Sequence, residues 1–388
     1  MNIGIDASFL RKPGTGIGQV TLGILQALIE RHQAPSLSGS HSFFLYCEEI
    51  PQLSFDLPEN FFLRPFLPLW KRDDIPRKWM WEKLLSRHAE EDRCDAFLSL
   101  AQSAAIMPKT IRHTMIVHDM IPHFFPRYLF TLSRKLSYAA IKKGIRRADH
   151  LAAVSRTTAR DVARILSLKE ETITVLYPGY NPIFGKEISV QDLRPILDRY
   201  GLREGYIYHG GGLEVRKNTE RLLRAYADLR KKHPSAPPLV ISGTVFAKEN
   251  VLAVDVKSIA SRLGIENAVS ILGFVPEEDI PALYEGALMF VYPSLYEGFG
   301  LPVLEAFASK VPVVAGSGGA LPEIAQEAAL LVDPSDVSAI EAGMERLLSD
   351  DSLRRELIRA GEKRAADFSF SEMAEGIVRI LEHNSQRR

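Results

Sequence analysis

The chain has 388 residues, 46% hydrophobic and 25% charged, with 48 lysines and arginines balanced by 48 aspartates and glutamates. That length accommodates two domains of ordinary size, and the composition excludes a disordered or fibrous chain. No apolar run approaches the roughly 20 residues that cross a bilayer, and two cysteines, Cys47 and Cys94, are too few for a disulfide framework.

The predicted elements begin with Asn2 to Asp6, followed by short apolar runs at Ser42 to Tyr46, Ala96 to Leu100, Thr114 to Val117, His150 to Val154 and Thr172 to Tyr177. Helical patterns separate them, which implies a parallel sheet covered by helices. A second set follows at Tyr206 to Tyr208, Leu239 to Ser242, Ala268 to Leu272, Leu288 to Tyr292, Val313 to Ala315 and Ala329 to Val332. The expected fold is α/β with two doubly wound, Rossmann-like domains, joined near Tyr177-Pro178-Gly179-Tyr180-Asn181-Pro182, whose prolines and glycine break regular structure. The expected boundaries are 1–180 and 181–367, with a terminal helix over 368–388. That helix starts at the Ser369-x-x-Glu372 capping box and carries Met373, Ile377, Ile380 and Leu381 as an apolar stripe.

Charge is distributed unevenly. Residues 1–180 carry 24 lysines and arginines against 18 acids, a balance of +6, and residues 181–388 carry 24 against 30, a balance of −6. Between 109 and 147 there are nine basic side chains and a single acid, Asp119, which suits an anionic partner or surface. The three tryptophans, Trp70, Trp79 and Trp81, follow Phe61-Phe62-Leu63 and mix with Lys71, Arg72, Arg77, Lys78 and Lys83. Such a stretch reads either as a lipid-interface segment or, given Asp73, Asp74 and Glu82, as an ordinary loop and helix. A neutral chain without a recognisable module argues against nucleic acid. The start, Met1-Asn2-Ile3-Gly4-Ile5-Asp6, has no basic region leading into an apolar core, so a cytoplasmic location is expected.

Four segments carry candidate chemistry. Pro13-Gly14-Thr15-Gly16-Ile17-Gly18 lies between the first strand and a helical pattern, and reads as a phosphate seat or a flexible turn. Its glycine spacing is not the dinucleotide fingerprint, which disfavours a nicotinamide dehydrogenase. Val117-His118-Asp119 ends a strand of the first domain, where an imidazole would face an interdomain cleft and touch substrate, or simply be structural. Gly210-Gly211-Gly212 through Arg216-Lys217-Asn218 opens the second domain, and its cations can neutralise a leaving diphosphate or form a solvated pair at a helix start.

The fourth segment, Tyr296-Glu297-Gly298-Phe299-Gly300-Leu301-Pro302-Val303-Leu304-Glu305, follows an apolar strand and runs into a helix with proline near its start. Amides of Gly298, Phe299, Gly300 and Leu301 can point at a phosphate, and Glu297 and Glu305 can accept hydroxyl hydrogen bonds. Paired acids also occur in glycosidases, but a hydrolase has no use for phosphate seats beside an arginine-lysine pair. The structural alternatives are a turn acid and a first-turn helix acid.

Together these residues resemble the retaining glycosyltransferases of family 4, over nearly the full length. Glu297 and Glu305 form the Glu-x7-Glu signature, supported by Gly14 to Gly18, His118-Asp119, Val154-Ser155, Arg216-Lys217-Asn218, Gly273-Phe274-Val275 and Gly318 to Glu323. The resemblance implies the GT-B fold, an acceptor-binding first domain, a donor-binding second domain and a terminal helix returning to the first. It implies that Glu297 holds the transferred hexose, and Glu305 the ribose. Lys217, Gly16 and the Gly298 to Leu301 amides would hold the diphosphate, and Gly273 to Val275 the base, with His118 near the reacting carbon. Many relatives have an arginine where this chain has Gly211-Gly212, and Arg216 is taken as its substitute. No metal and no cofactor beyond the nucleotide sugar is expected. The implied activity is transfer of a hexose, first of all mannose from GDP-mannose, to a glycan or lipid-pyrophosphate-linked acceptor of a surface polysaccharide such as O-antigen. UDP-glucose, UDP-galactose or dTDP-rhamnose donors are the alternatives, as is a non-catalytic sugar-nucleotide-binding partner of an assembly complex. Apart from the resemblance, the basic, aromatic surface of the first domain suits peripheral contact with the inner membrane.

Overall fold

The alternating apolar runs and helical patterns fold into two parallel sheets in the computed structural model, which describes residues 1–33, 41–51, 53, 55–66, 75–243 and 252–385. The chain divides into two compact units, Met1–Gly179 with Phe368–Arg388, and Tyr180–Asp367.

The first unit contains β1 (Asn2–Asp6), α1 (Gly16–Gln33), β2 (Ser42–Cys47), β3 (Phe61–Pro65), α2 (Ile75–Glu91), β4 (Ala96–Ser99) and β5 (Arg112–Val117). These are followed by α3 (Ile121–Phe124), α4 (Leu132–Arg147), β6 (His150–Ala153), α5 (Arg156–Leu166) and β7 (Ile173–Val175). The strand order is β3-β2-β1-β4-β5-β6-β7. Ile3, Ile5, Phe97 and Leu98 are fully buried, because helices cover both faces of the sheet and leave no solvent side for alternation to record.

The second unit contains α6 (Val190–Arg199), β8 (Tyr206–His209), α7 (Thr219–Lys232), β9 (Leu239–Ser242), α8 (Val256–Leu263), β10 (Val269–Gly273) and α9 (Ile280–Glu285). It continues through β11 (Ala287–Tyr292), α10 (Leu301–Ala308), β12 (Val313–Gly316), α11 (Leu321–Ala325), β13 (Ala329–Val332), α12 (Val337–Ser349) and α13 (Asp351–Ala365). Its order, β10-β9-β8-β11-β12-β13, repeats the plan of the first sheet without β7. In each sheet the winding reverses beside the first strand, between β1 and β4 and between β8 and β11. Such reversals leave a crevice outside the strands' carboxyl ends, where ligands of open α/β sheets bind.

The structure adds one strand to those expected and decides between the two readings of the tryptophan stretch. Phe61-Phe62-Leu63 is part of β3, the edge strand beyond β2, paired from Phe43↔Phe61 to Cys47↔Pro65. Its one-sided burial and the presence of Arg64 and Pro65 obscure the strand pattern. Trp81 is a core residue, not a lipid contact: its ring stacks on Phe66 at 4.1 Å and its Nε1 donates to Asp6 Oδ1 at 3.3 Å. Arg77 is likewise buried, donating from Nε to Glu48 Oε2 at 2.9 Å. Trp79 is exposed, whereas Trp70, Lys71, Arg72, Asp73 and Asp74 lie outside the described residues. Both cysteines are free and buried, and burial pushes each thiol up to about 11.

The C-terminal helix, Phe370–Ser385, packs on α1 within the first unit. Ser369 Oγ accepts from the Glu372 amide at 3.1 Å, satisfying one of the free donors of the first turn. Met373, Ile377 and Leu381 are buried beneath it. The approach is close because α1 has no side chain at Gly23, where a Cβ would come within 2.3 Å of the Phe370 ring.

Candidate active site

At the carboxyl ends of β8 and β11, three loops are tied into one framework. Gly211 and Gly212, with φ of +89° and +99°, turn the chain out of β8 into a short 3-10 turn at Val215–Lys217. Asn218 then adopts a left-handed conformation (φ +65°) before α7, and its Nδ2 donates to the carbonyls of Pro293 at 3.0 Å and Pro334 at 2.6 Å. The Leu295 amide donates to Arg216 O at 2.8 Å. Beneath them His209 joins β11 and α7, with Nδ1 2.8 Å from Val291 O and Nε2 3.1 Å from Thr219 Oγ1. Burial lowers its imidazole to about 4, so it is neutral and serves as a brace.

The framework holds a four-partner carboxylate. Glu297 Oε1 lies 2.9 Å from Lys217 Nζ and accepts from Tyr292 OH at 2.8 Å and Ser294 Oγ at 2.7 Å, while Oε2 pairs with Arg216 Nη1 at 2.6 Å. Burial favours the protonated acid, but Arg216, Lys217 and the hydrogen bonds outweigh it and hold the carboxyl down at about 2. Burial, together with Arg216, lowers the Lys217 ammonium to about 8 against the pull of Glu297. Lys217 also contacts the Tyr292 hydroxyl and sits 4.7 Å from that ring's centroid. Arg216 is held from its other side by Glu214, Nε to Oε2 at 3.2 Å.

Glu305 has a different environment. It is buried in α10 and accepts from Tyr284 OH at 3.1 Å, and burial raises its carboxyl to about 7 despite that bond. The turn between these acids is shaped by glycines: Gly300, the residue before α10, has φ +127°. Across from it a Cβ on Gly319 would meet Glu297 O at 2.3 Å, and the Ala320 amide donates to that same oxygen at 2.8 Å. Gly298 and Phe299 are buried in this turn, leading to Leu301 at the start of α10. Gly273, the last residue of β10, has φ +73°; beyond it Phe274 is 73% exposed and Val275 is buried.

The first unit carries Gly16 and His118. Gly16 opens α1, where the Gly18 amide donates to Thr15 Oγ1 at 3.1 Å. His118 follows β5 and is buried, its Nε2 2.7 Å from Leu100 O and its amide donating to Gln102 Oε1 at 3.0 Å. Burial lowers this imidazole to about 4, leaving a neutral ring whose orientation is fixed by the Leu100 carbonyl. Asp119 instead accepts from the Ile121 amide at 2.8 Å, at the start of α3.

A cavity of about 720 Å³ opens in the same unit, lined by Asp6, Trp81, Glu82, Gln102, Ser103 and Tyr138 among others. Burial raises the carboxyls of both Asp6 and Glu82. Hydroxyl acceptors beside an aromatic wall are suited to a sugar ring.

Sequence reading thus places Arg216, Lys217 and Glu297 in one region, and the structure brings them into direct contact. It does not foresee that the cations grip the acid. Tyr292 and Ser294 complete the grip at the strand end, and Tyr284 partners Glu305; of these only Ser294 falls in the loop that follows β11. Among the described residues no group of three or more His, Cys, Asp or Glu side chains is placed to hold a metal ion.

Two family models match this chain: Glycosyltransferase Family 4 over residues 14–183, and Glycosyl transferases group 1 over residues 201–364. The O-antigen chain mannosyltransferase B of Escherichia coli is 30% identical over 372 residues, covering 93% of this chain and 94% of that protein. The chain belongs to glycosyltransferase family 4. WaaG, a glycosyltransferase involved in lipopolysaccharide biosynthesis, superposes with a TM-score of 0.75 at 16% identity, covering 98% of this chain and 99% of that one. Anabaena Alr3699/HepE in complex with UDP-glucose gives 0.73 at 18% identity, again covering 98% and 99%. The fold of this family 4 glycosyltransferase is therefore GT-B, with Gly16 and His118 inside the first matched segment and Arg216 through Glu305 inside the second.

Proposed function

We propose that this glycosyltransferase transfers a hexose, first of all mannose from GDP-mannose, to a glycan or lipid-linked oligosaccharide in surface-polysaccharide synthesis, with retention at the anomeric carbon. The observation that carries the chemistry is the Arg216–Glu297–Lys217 grip at the carboxyl ends of β8 and β11. Two cations fixed by one carboxylate are pre-organised, so they need little rearrangement to meet charge developing on a leaving diphosphate. The amides of Gly298 to Leu301 add donors at a helix start. Glu297 then serves the hexose hydroxyls, Glu305 the ribose, and Gly273, Phe274 and Val275 the base.

In this reading the acceptor hydroxyl oxygen bonds to the anomeric carbon on the face from which the diphosphate departs. The bond from that carbon to the β-phosphate oxygen breaks, and the hydroxyl proton passes to a phosphate oxygen. Neutral His118 orients the sugar near the reacting carbon, and Gly16 lets the start of α1 approach the diphosphate. Lys217 and Arg216 take the place of a divalent ion, so neither metal nor a further cofactor is required.

Similarity to the E. coli O-antigen mannosyltransferase over nearly the whole chain supports mannose and a surface glycan. The cavity at Asp6, Trp81 and Glu82 would take the acceptor sugar. No helix among the described residues is long and apolar enough to cross a membrane, and the protein would act in the cytoplasm, touching the inner membrane peripherally. Screening nucleotide sugars for release of nucleoside diphosphate tests the donor. GDP-mannose turnover is expected, and preference for UDP-glucose, the ligand of the Anabaena neighbour, would displace the mannosyl reading. Unchanged turnover in Glu297→Ala and Lys217→Ala would overturn the catalytic assignments.

A further inference from the structure

Tyr284 lies in the last turn of α9, between the Gly273 to Val275 loop and β11, and it is fully buried. Three rings close on it at steep angles: Tyr208 with centroids 5.1 Å apart, Phe290 at 5.0 Å, and Phe184, from the 3-10 turn before α6, at 5.8 Å. Packing on three sides leaves the ring one orientation, which delivers its hydroxyl to α10. There the oxygen lies 3.1 Å from Glu305 Oε2 and 3.2 Å from Pro302 O, so one proton is shared between a carboxylate in the second turn of the helix and a carbonyl in its first. Burial and the adjacent carboxylate push the phenol well above its ordinary value, and it therefore acts as a donor. A glutamate needs such a partner to present a fixed face. Its terminal torsion is broad, so a carboxylate without one sweeps its oxygens through many directions. Burial adds a second difficulty by favouring the protonated acid, which places a donor where a ligand hydroxyl would also donate. The Tyr284 bond opposes both, fixing the plane of the group and favouring its ionised form. Of the other groups facing Glu305, Glu277 works against ionisation and Lys217 for it, and the phenols of Tyr208 and Tyr292 lie within the carboxylate's field.

We infer that Tyr284 is a positioning residue for the nucleotide: its hydroxyl, carried from α9 to α10, turns the Glu305 oxygens toward the ribose 2′- and 3′-hydroxyls and so sets a preference for ribonucleoside over deoxyribonucleoside diphosphates. The inference rests on the assignment of Glu305 to the ribose. A buried carboxylate held in place to accept two hydroxyls rejects a sugar that offers one, because the missing hydrogen bond leaves a desolvated acceptor unpaired. If the carboxylate can swing, it pairs with whatever hydroxyl remains and the discrimination fades. The base has no part in this contact, so guanosine and uridine nucleotides should be sorted alike.

The test compares GDP with 2′-deoxy-GDP, and UDP with 2′-deoxy-UDP, by calorimetric titration of the full chain. The wild type should favour each ribonucleotide about tenfold or more. Tyr284→Phe keeps the ring and its three neighbours; it should weaken ribonucleotide binding about tenfold and bring the preference to within about twofold of unity. Donor KM should rise accordingly while kcat changes by less than about threefold. GDP affinity should climb with pH through about 7 in the wild type, as Glu305 ionises, and the inflection should move to higher pH in the variant. Tyr208→Phe is the control: it removes another buried hydroxyl of the same ring cluster, one 2.7 Å from Ser242 Oγ, and should leave both the preference and the inflection where they are. An undiminished preference in Tyr284→Phe would overturn the inference, and so would an equal loss in Tyr208→Phe, which would mean that the cluster had merely loosened. Glu305→Gln separates this inference from the reading beneath it. If Glu305→Gln abolishes a preference that Tyr284→Phe retains, the ribose assignment stands and the role of Tyr284 falls; if the wild type shows no preference, both fall.

Discussion

Glu305 is held in α10 by a hydrogen bond from Tyr284, and burial raises its carboxyl from 4.5 to about 7. The sign of the consequence follows from proton linkage. The folded protein retains a proton that the unfolded chain releases, so stability falls as pH rises from about 4.5 to about 7, and the full penalty persists above that. At 1.36 kcal/mol per unit the penalty at pH 8 is about 3 kcal/mol. Glu305→Gln should therefore be more stable than the wild type at pH 8 by up to that amount, with the gap closing toward pH 4 in urea titrations. Donor affinity should meanwhile weaken, because an amide presents one acceptor to a ribose diol instead of two. Glu297 has the opposite sign. Its carboxyl is held at about 2, so its stabilisation is present above pH 4.5 and disappears as pH falls toward 2. Glu297→Gln leaves Arg216 and Lys217 without their shared anion and should cost about 3 kcal/mol near neutrality, shrinking in acid. Its kcat/KM should drop at least a hundredfold if the grip organises the cations for the leaving diphosphate. A stability loss without a kinetic loss would mean that the network is purely structural.

At the scale of elements, close packing depends on glycines in ways that can be measured. Gly23→Ala places a methyl against the Phe370 ring and should destabilise the first unit by about 1–3 kcal/mol, the usual cost of overpacking. Gly23→Ala with Phe370→Leu should recover part of that loss, and the absence of any recovery would mean that the helix is held chiefly elsewhere. Most strands were legible because parallel sheets covered on both faces produce uninterrupted apolar runs, as at Leu288 to Tyr292. The edge strand β3 was not, since an edge tolerates Arg64 and Pro65 and one side of it meets solvent. The loops after β8 and β11 were legible through glycines followed by helix starts. The contact between them was not, because no spacing rule places Arg216 against Glu297, 81 residues away. That contact is made by the register of β8 on β11 and by Asn218 anchoring both neighbouring loops. Trp81 left two readings open for a related reason. A tryptophan among cations suggests an interface until Asp6, 75 residues earlier, supplies its partner.

For the molecule as a whole, the two signs of charge fall on different units. The first unit, residues 1–179 with 368–388, carries 27 lysines and arginines against 21 acids, and the second, residues 180–367, carries 21 against 27. A unit of net charge −6 repels a nucleoside diphosphate at long range, so the proposed donor must be captured by buried local groups, Arg216 and Lys217, which salt screens only weakly. Nucleotide affinity should therefore change by only a fewfold between low and physiological ionic strength. Nucleotide binding is read most directly by thermal unfolding, since a ligand at a hundred times its Kd stabilises the native state by about 2.7 kcal/mol. GDP should raise Tm in the wild type and more than UDP does if guanosine is the donor base. Lys217→Ala should abolish the GDP shift. A shift that survives Lys217→Ala would relocate the diphosphate, and a shift that collapses at physiological salt would mean that the nucleotide is held by the first unit's surface cations.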